Sequence, residues 1–250
     1  MLVLPGIYGA GRNWATFARG LTIRRPEWGV ILVDLRLHGH SQGFPPPHTL
    51  SNCVHDLVVL AHHLGVRVGA VLGHSFGGKV ALMSAVALHP KQVWVIDSTP
   101  SRRTPGGSAY RMLQILRRLP RTFESRREAV ETLRGEGYAA DVAQWMGTNL
   151  ESTGGRCRWR FDLDEMEELL DDFFRRDLWD VVESPPEPTR IHFVRASESD
   201  AMPLSEYTRA REAGGHGRVS VHELHGGHWL HQDNPEGLLA LVAEQLAANG

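Results

Sequence analysis

The strongest constraint on how this chain folds is the stretch Gly73-His74-Ser75-Phe76-Gly77-Gly78. It lies between an apolar run, Val66 to Leu72, and a helical pattern that begins Lys79-Val80-Ala81-Leu82-Met83-Ser84-Ala85. A strand that turns tightly and enters a helix at once brings two backbones close together. Glycine two residues before and two after Ser75 leaves room for that approach, because a Cβ at either place would collide. Ser75 is left at the apex, at a helix N-terminus, where unpaired N–H groups and the helix dipole favour negative charge. Strand, Gly-x-Ser-x-Gly turn and helix together predict a serine nucleophile raised above a sheet edge.

The flanking segments repeat the same rhythm. Leu2-Val3-Leu4, Val30-Ile31-Leu32-Val33 and Val93-Trp94-Val95-Ile96 read as short buried strands, with helices at Trp14 to Leu21 and Leu50 to Leu64. Thr49 or Ser51 is the expected cap of the latter. This α/β alternation predicts a mostly parallel sheet with helices on both faces. Ligands bind such sheets beyond the carboxyl ends of the strands. The glycine-rich loop Pro5 to Gly11, the Ser75 turn and Asp97-Ser98-Thr99-Pro100 all fall at that edge.

From Ser101 to Pro188 the alternation gives way to helical patterns: Ala109 to Leu119, a helix opened by Ser125-Arg126-Arg127-Glu128, Asp141 to Leu150, and Asp164 to Phe174. It resumes with a strand at Arg190 to Val194, a helix near Leu204 to Glu212 and a strand at Val219 to Leu224. A closing helix follows, capped by Asn234 with Pro235 at its first position. The expected organisation is an α/β core formed by residues 1–100 and 189–250, with a helical lid, 101–188, inserted between them.

At 250 residues, 42% hydrophobic and 22% charged, the chain matches one ordinary globule. A net charge of −2 gives no pull toward nucleic acid or an anionic membrane. Two cysteines, Cys53 and Cys157, cannot make a disulfide framework, and no apolar run approaches the ~20 residues a membrane helix needs. A cytoplasmic protein with no cofactor and no metal is expected.

A serine hydroxyl needs a base within hydrogen-bond reach. Among 14 histidines, His228 stands out because it follows the last strand on the Gly226-Gly227 turn. Its i, i+3, i+6 spacing with His225 and His231 suggests a metal less than a catalytic base, since a metal site has no need of the serine turn. The base in turn needs a carboxylate to orient it. Asp200, on the loop after the next-to-last strand, is the favoured acid, and Asp97 is the rival from the same sheet edge. Candidates for substrate contact are Tyr8 and His74 near the nucleophile, Trp229 beside the base, and Trp145, Arg102 and Arg111 in the lid. One or two lid arginines turned inward could hold an anionic substrate.

Taken together, Pro5-Gly6-Ile7-Tyr8-Gly9 through Trp14, Asp34-Leu35-Arg36-Leu37-His38-Gly39-His40-Ser41, the Ser75 turn and Gly227-His228-Trp229 resemble the α/β-hydrolase superfamily. The similarity is greatest to its small, lidded bacterial esterases and thioesterases. It implies Ser75 as nucleophile, His228 as base, and the backbone N–H groups of Ile7 and Phe76 as oxyanion donors. The substrate implied is a small carboxylic ester or thioester. A C–C bond hydrolase or lyase acting on an anionic substrate is the enzyme alternative, and a ligand-binding module without turnover is the other. Pro5-Gly6 departs from the family's usual His-Gly. Strand one begins almost at Met1, which implies either a shortened sheet, open to an edge-mediated homodimer, or a native start elsewhere.

Overall fold

The core strands alternate between two buried faces. Leu2, Leu4, Val71, Val93, Val95, Ile191 and Phe193 belong to one hydrophobic cluster, and Val3, Leu72, Trp94 and Val194 to another. Burial on both sides explains why these strands read as unbroken apolar runs. The structure, a computed structural model, describes residues 1–214 and 217–246.

In chain order the first half of the core comprises β1 (Leu2–Leu4), α1 (Ala15–Arg24), β2 (Ile31–Leu32), α2 (Leu50–His63), β3 (Ala70–His74), α3 (Phe76–Leu88) and β4 (Gln92–Ile96). The inserted segment follows with α4 (Gly107–Arg118), β5 (Thr122–Phe123), α5 (Arg126–Gly135), α6 (Ala140–Gly147), β6 (Leu150–Thr153), β7 (Arg156–Trp159), α7 (Leu163–Arg175) and α8 (Trp179–Glu183). The chain rejoins the core at β8 (Arg190–Ala196) and continues through α9 (Leu204–Ala213), β9 (Val219–Leu224), α10 (Leu230–Asp233) and α11 (Pro235–Gln245).

The six core strands lie in the order β2-β1-β3-β4-β8-β9, and every neighbouring pair is parallel. Helices α1 and α11 supply Phe17, Leu21, Leu238 and Val242 to one face, while α2 and α3 supply Leu57, Val80 and Leu82 to the other. After β1 the chain moves toward β2, whereas after β3 it moves the opposite way, toward β4. The loops leaving these two adjacent strands therefore diverge and open a crevice at their carboxyl ends.

Side-chain caps set several helix starts. Thr49 Oγ1 accepts from Asn52 N–H at 3.2 Å, Ser125 Oγ from Glu128 N–H at 3.1 Å and Asn234 Oδ1 from Gly237 N–H at 3.1 Å. Glu128 does not close a capping box on Ser125; its carboxylate accepts the Glu124 N–H at 2.6 Å.

The inserted segment departs from the expected all-helical form. Strands β5, β7 and β6 make a small antiparallel sheet, with β6 and β7 joined through Gly154 and Gly155 at φ +60° and +80°. That pair of left-handed glycines forms a two-residue hairpin turn. The helix expected at Asp141 to Leu150 stops at Gly147 to make way for it. The segment's Met112, Leu113, Phe123, Met146, Leu169 and Phe174 share one hydrophobic cluster with Leu4, Phe76 and Phe193 of the core.

Within the segment Arg117, at the end of α4, pairs with Asp164 and Glu167 of α7. The start of the segment and the end of α7 are tied to α3 by Lys79. This buried ammonium donates to the carbonyls of Ser101 (2.8 Å), Phe173 (2.9 Å) and Arg176 (2.8 Å) and lies 4.6 Å from the centre of the Phe173 ring. Burial lowers its pKa to about 8.

Candidate active site

Ser75 occupies the turn between β3 and α3 with φ +52° and ψ −114°, a strained conformation for a residue with a side chain. Crowding beneath it explains the neighbouring glycines. A Cβ on Gly73 would stand 1.9 Å from the Gly77 carbonyl oxygen, and one on Gly77 would stand 2.5 Å from that of Pro5. Ser75 N–H donates to Ile96 O at 2.9 Å, which ties the turn to the end of β4.

His228 comes from the turn after β9 and lies 3.0 Å, through Nε2, from Ser75 Oγ. Its Nδ1 is 2.6 Å from Asp97 Oδ2. With Nδ1–H donating to the carboxylate, Nε2 is left as the acceptor for the serine hydroxyl. The backbone of His228 is held as well, since His74 Nε2–H donates to its carbonyl at 2.7 Å.

The acid beside the histidine is therefore Asp97, and the expectation that favoured Asp200 is corrected. Asp97 directly follows β4, is wholly buried, and has φ +45°, which turns its side chain toward the serine edge. Its other oxygen accepts from Ala196 N–H at 3.1 Å. Asp200 lies beyond the turn that follows β8 and is exposed, with its carboxylate not on His228.

Ile7 sits in the loop after β1 and Phe76 opens α3. Among the described residues, the amide of neither donates to a protein acceptor. Asp34, at the end of β2, supports the loop by accepting from Gly11 N–H and His40 N–H, both at 2.8 Å. The Arg36–His38 segment is held by internal contacts. Arg36 forms a two-point ion pair with Asp56 at 2.7 and 2.9 Å, and His38 Nδ1 bonds to Arg36 O at 2.8 Å.

Ser75 and His228 open into a cavity of about 270 Å³. Ile7, Tyr8, Met112, Val142, Trp145 and Trp229 line much of it, and among the described residues no lysine, arginine, aspartate or glutamate lines it. The Trp145 and Trp229 rings meet at 5.4 Å between centres, one from the inserted segment and one from the core. Of the residues named as substrate contacts, Tyr8, His74, Trp145 and Trp229 line this cavity, and Arg102 and Arg111 do not. Both arginines are exposed. Arg111 lies on the outer side of α4, whose Met112, Leu113, Ile115 and Leu116 turn inward.

The neighbouring histidines are held neutral. Burial, with His228 and His231 nearby, pushes His74 well below the usual imidazole range, and burial lowers His231 to about 4. His231 stacks on Trp14 at 4.5 Å, while His225 lies near Ser197 at 3.5 Å, so the three evenly spaced histidines do not converge. His231, Met112 and Tyr138 also line the cavity, and the sequence reading assigns them no role.

The sequence profile described as the alpha/beta hydrolase family matches residues 1–241. The chain belongs to the α/β-hydrolase family. Among its α/β-hydrolase relatives, the sn-1-specific diacylglycerol lipase of Mus musculus is 26% identical over 255 residues, covering 99% of this chain and 80% of the lipase. Lipase LipV of Mycobacterium tuberculosis is 25% identical, covering 98% and 92%. The solved structure of a marine microorganism esterase superposes with a TM-score of 0.84 at 21% identity over 97% of this chain and 93% of the esterase. That of E-2-(acetamidomethylene)succinate hydrolase gives 0.76 at 20% identity, over 98% and 90%. At such identities these structures establish the shared α/β-hydrolase fold.

Proposed function

We propose that this α/β-hydrolase is a serine hydrolase that cleaves uncharged carboxylic esters or thioesters through an acyl-enzyme, with the inserted segment as its lid. One observation carries the reading: the Ser75–His228–Asp97 chain of contacts, at 3.0 and 2.6 Å, opens into an aromatic cavity that, among the described residues, no lysine, arginine, aspartate or glutamate lines.

In this reading His228 Nε2 takes the proton of Ser75 as Oγ bonds to the substrate carbonyl carbon. Asp97 keeps the imidazole in the required tautomer and stabilises the imidazolium. The carbonyl oxygen becomes an oxyanion and receives hydrogen bonds from the Ile7 and Phe76 amides. Its collapse breaks the bond to the alcohol or thiol, which leaves with the proton from His228. Water, deprotonated by the same nitrogen, then attacks the acyl carbon, and the acid departs as Ser75 recovers its proton. Neutral His74 and His231 place no competing positive charge beside the imidazolium.

The lipase and esterase names among the relatives agree with an ester substrate. The outward course of Arg102 and Arg111 removes the reason to prefer an anionic one. The test is labelling with an alkyl fluorophosphonate, combined with turnover of p-nitrophenyl butyrate. Wild-type protein should be labelled at Ser75 and turn the ester over, and a folded Ser75→Ala variant should do neither. Ester turnover retained by Ser75→Ala, or a wild type that binds esters unchanged, overturns the reading.

A further inference from the structure

Gly6-Ile7-Tyr8-Gly9 forms a reverse turn closed by Gly9 N–H to Gly6 O at 2.9 Å. Tyr8 stands at its third position with φ +60°, the left-handed conformation that a type II turn requires and that glycine or asparagine usually fills. A tyrosine there is strained and must be held by its surroundings. The preceding residue is Ile7, whose amide is the oxyanion donor in the reading above.

What holds Tyr8 is the inserted segment, at three points. Its phenol donates to Ala109 O of α4 at 3.0 Å. Its ring lies 5.6 Å from that of Phe161, just beyond β7. Its carbonyl accepts from Asn149 Nδ2 at 2.8 Å. Asn149, between α6 and β6, is only 4% exposed, and its own backbone is fixed by bonds to Met146 O (2.9 Å) and from Arg160 N–H (3.0 Å). A second grip lies one residue earlier, where Arg12 Nη2 donates to Thr148 O at 2.9 Å.

The geometry points to Asn149 as a positioning residue that keeps the Ile7 amide aimed at the oxyanion by clamping the strained Tyr8 peptide, so that docking of the inserted segment completes the catalytic site. This rests on the serine-hydrolase reading. Rotation of Tyr8 toward negative φ swings the Ile7–Tyr8 peptide and relaxes the turn that presents the Ile7 N–H. Asn149 opposes that rotation without touching substrate, as it is absent from the cavity lining. Its loss therefore weakens binding of the transition state and leaves binding of the ground state alone.

The experiment compares wild type, Asn149→Ala, Asn149→Asp and Tyr8→Phe. It uses p-nitrophenyl butyrate and an alkyl trifluoromethyl ketone, which forms a tetrahedral oxyanion adduct. Asn149→Ala should lower kcat about tenfold, the effect of one buried hydrogen bond, with KM within about twofold and ketone affinity reduced by the same factor as kcat. Asn149→Asp, which sets a carboxylate against the Tyr8 carbonyl, should lower both further. If Asn149→Ala fails to fold, Tyr8→Phe carries the same test through the phenol bond. Unchanged kcat, or a raised KM with ketone affinity intact, overturns the positioning role while leaving the nucleophile reading standing. A wild type that fluorophosphonate does not label at Ser75 overturns both.

Discussion

The carboxylate of Asp97 approaches His228 Nδ1 to 2.6 Å across 131 positions of sequence. The same carboxylate accepts the amide of Ala196, so it is locked between the ends of two adjacent strands, β4 and β8. Asp97→Asn should leave the fold intact and lower kcat by about three orders of magnitude, because the amide favours the wrong imidazole tautomer. Asp200→Asn should stay within about twofold of wild type. Steady-state kinetics on the two variants decides the assignment, and a large loss in Asp200→Asn alone would reverse it.

The turn beneath Ser75 predicts a steric failure. In Gly73→Ala the new methyl carbon would start 1.9 Å from the Gly77 carbonyl oxygen, which belongs to backbone and cannot swing aside. A loss of at least about 3 kcal/mol is expected in urea unfolding. Gly29→Ala, where an added Cβ meets nothing within 4 Å, serves as the control and should unfold like wild type.

The buried histidines set an acid limit. Burial lowers His38 to about 4, and burial together with His222 and Arg190 lowers His192 to about 4, against ~6.5 in the unfolded chain. Between those values the unfolded state binds the extra protons. Stability is therefore full above about pH 6.5, falls as pH drops toward 4, and levels off below it, by up to about 3 kcal/mol for each group. His38→Asn keeps a donor for the Arg36 carbonyl and removes the titration. Its stability should fall less steeply across that window in urea unfolding measured at stepped pH, and an unaltered slope would contradict the assignment.

The cavity predicts selectivity for apolar acyl groups. Trp145→Ala should raise KM several-fold for p-nitrophenyl hexanoate and much less for the acetate, because the longer chain loses its aromatic wall. Arg111→Ala should change neither. A selective loss of anionic substrates in Arg111→Ala would restore the arginine-anchored alternative.

Some of this site is legible from sequence because its rules are local. Gly73, Ser75 and Gly77 obey a steric requirement contained within a few residues, and His228 is marked by its place after the last strand. The acid is harder to read, since both Asp97 and Asp200 follow strands of the same sheet. The choice depends on the φ of a single residue and on burial that only the folded sheet defines. The β6–β7 hairpin does carry a local sign, Gly154-Gly155 between Ser152-Thr153 and Arg156-Cys157, which the surrounding helical patterns obscure. Asn149 carries no local sign at all, as its significance arises from a contact with Tyr8, 141 positions away.

Ser75 and Asp97 stand at φ +52° and +45°, at the ends of neighbouring strands. These are backbone angles at which glycine is more comfortable than any residue with a Cβ. At Ser75 selection for heat resistance alone would favour glycine and yield a hardy, inert protein, whereas at Asp97 glycine would forfeit the acceptor of the buried Ala196 amide. Improved endurance that preserves chemistry has to come from positions such as Gly135, in α5, where an added methyl meets nothing and the helix gains an alanine.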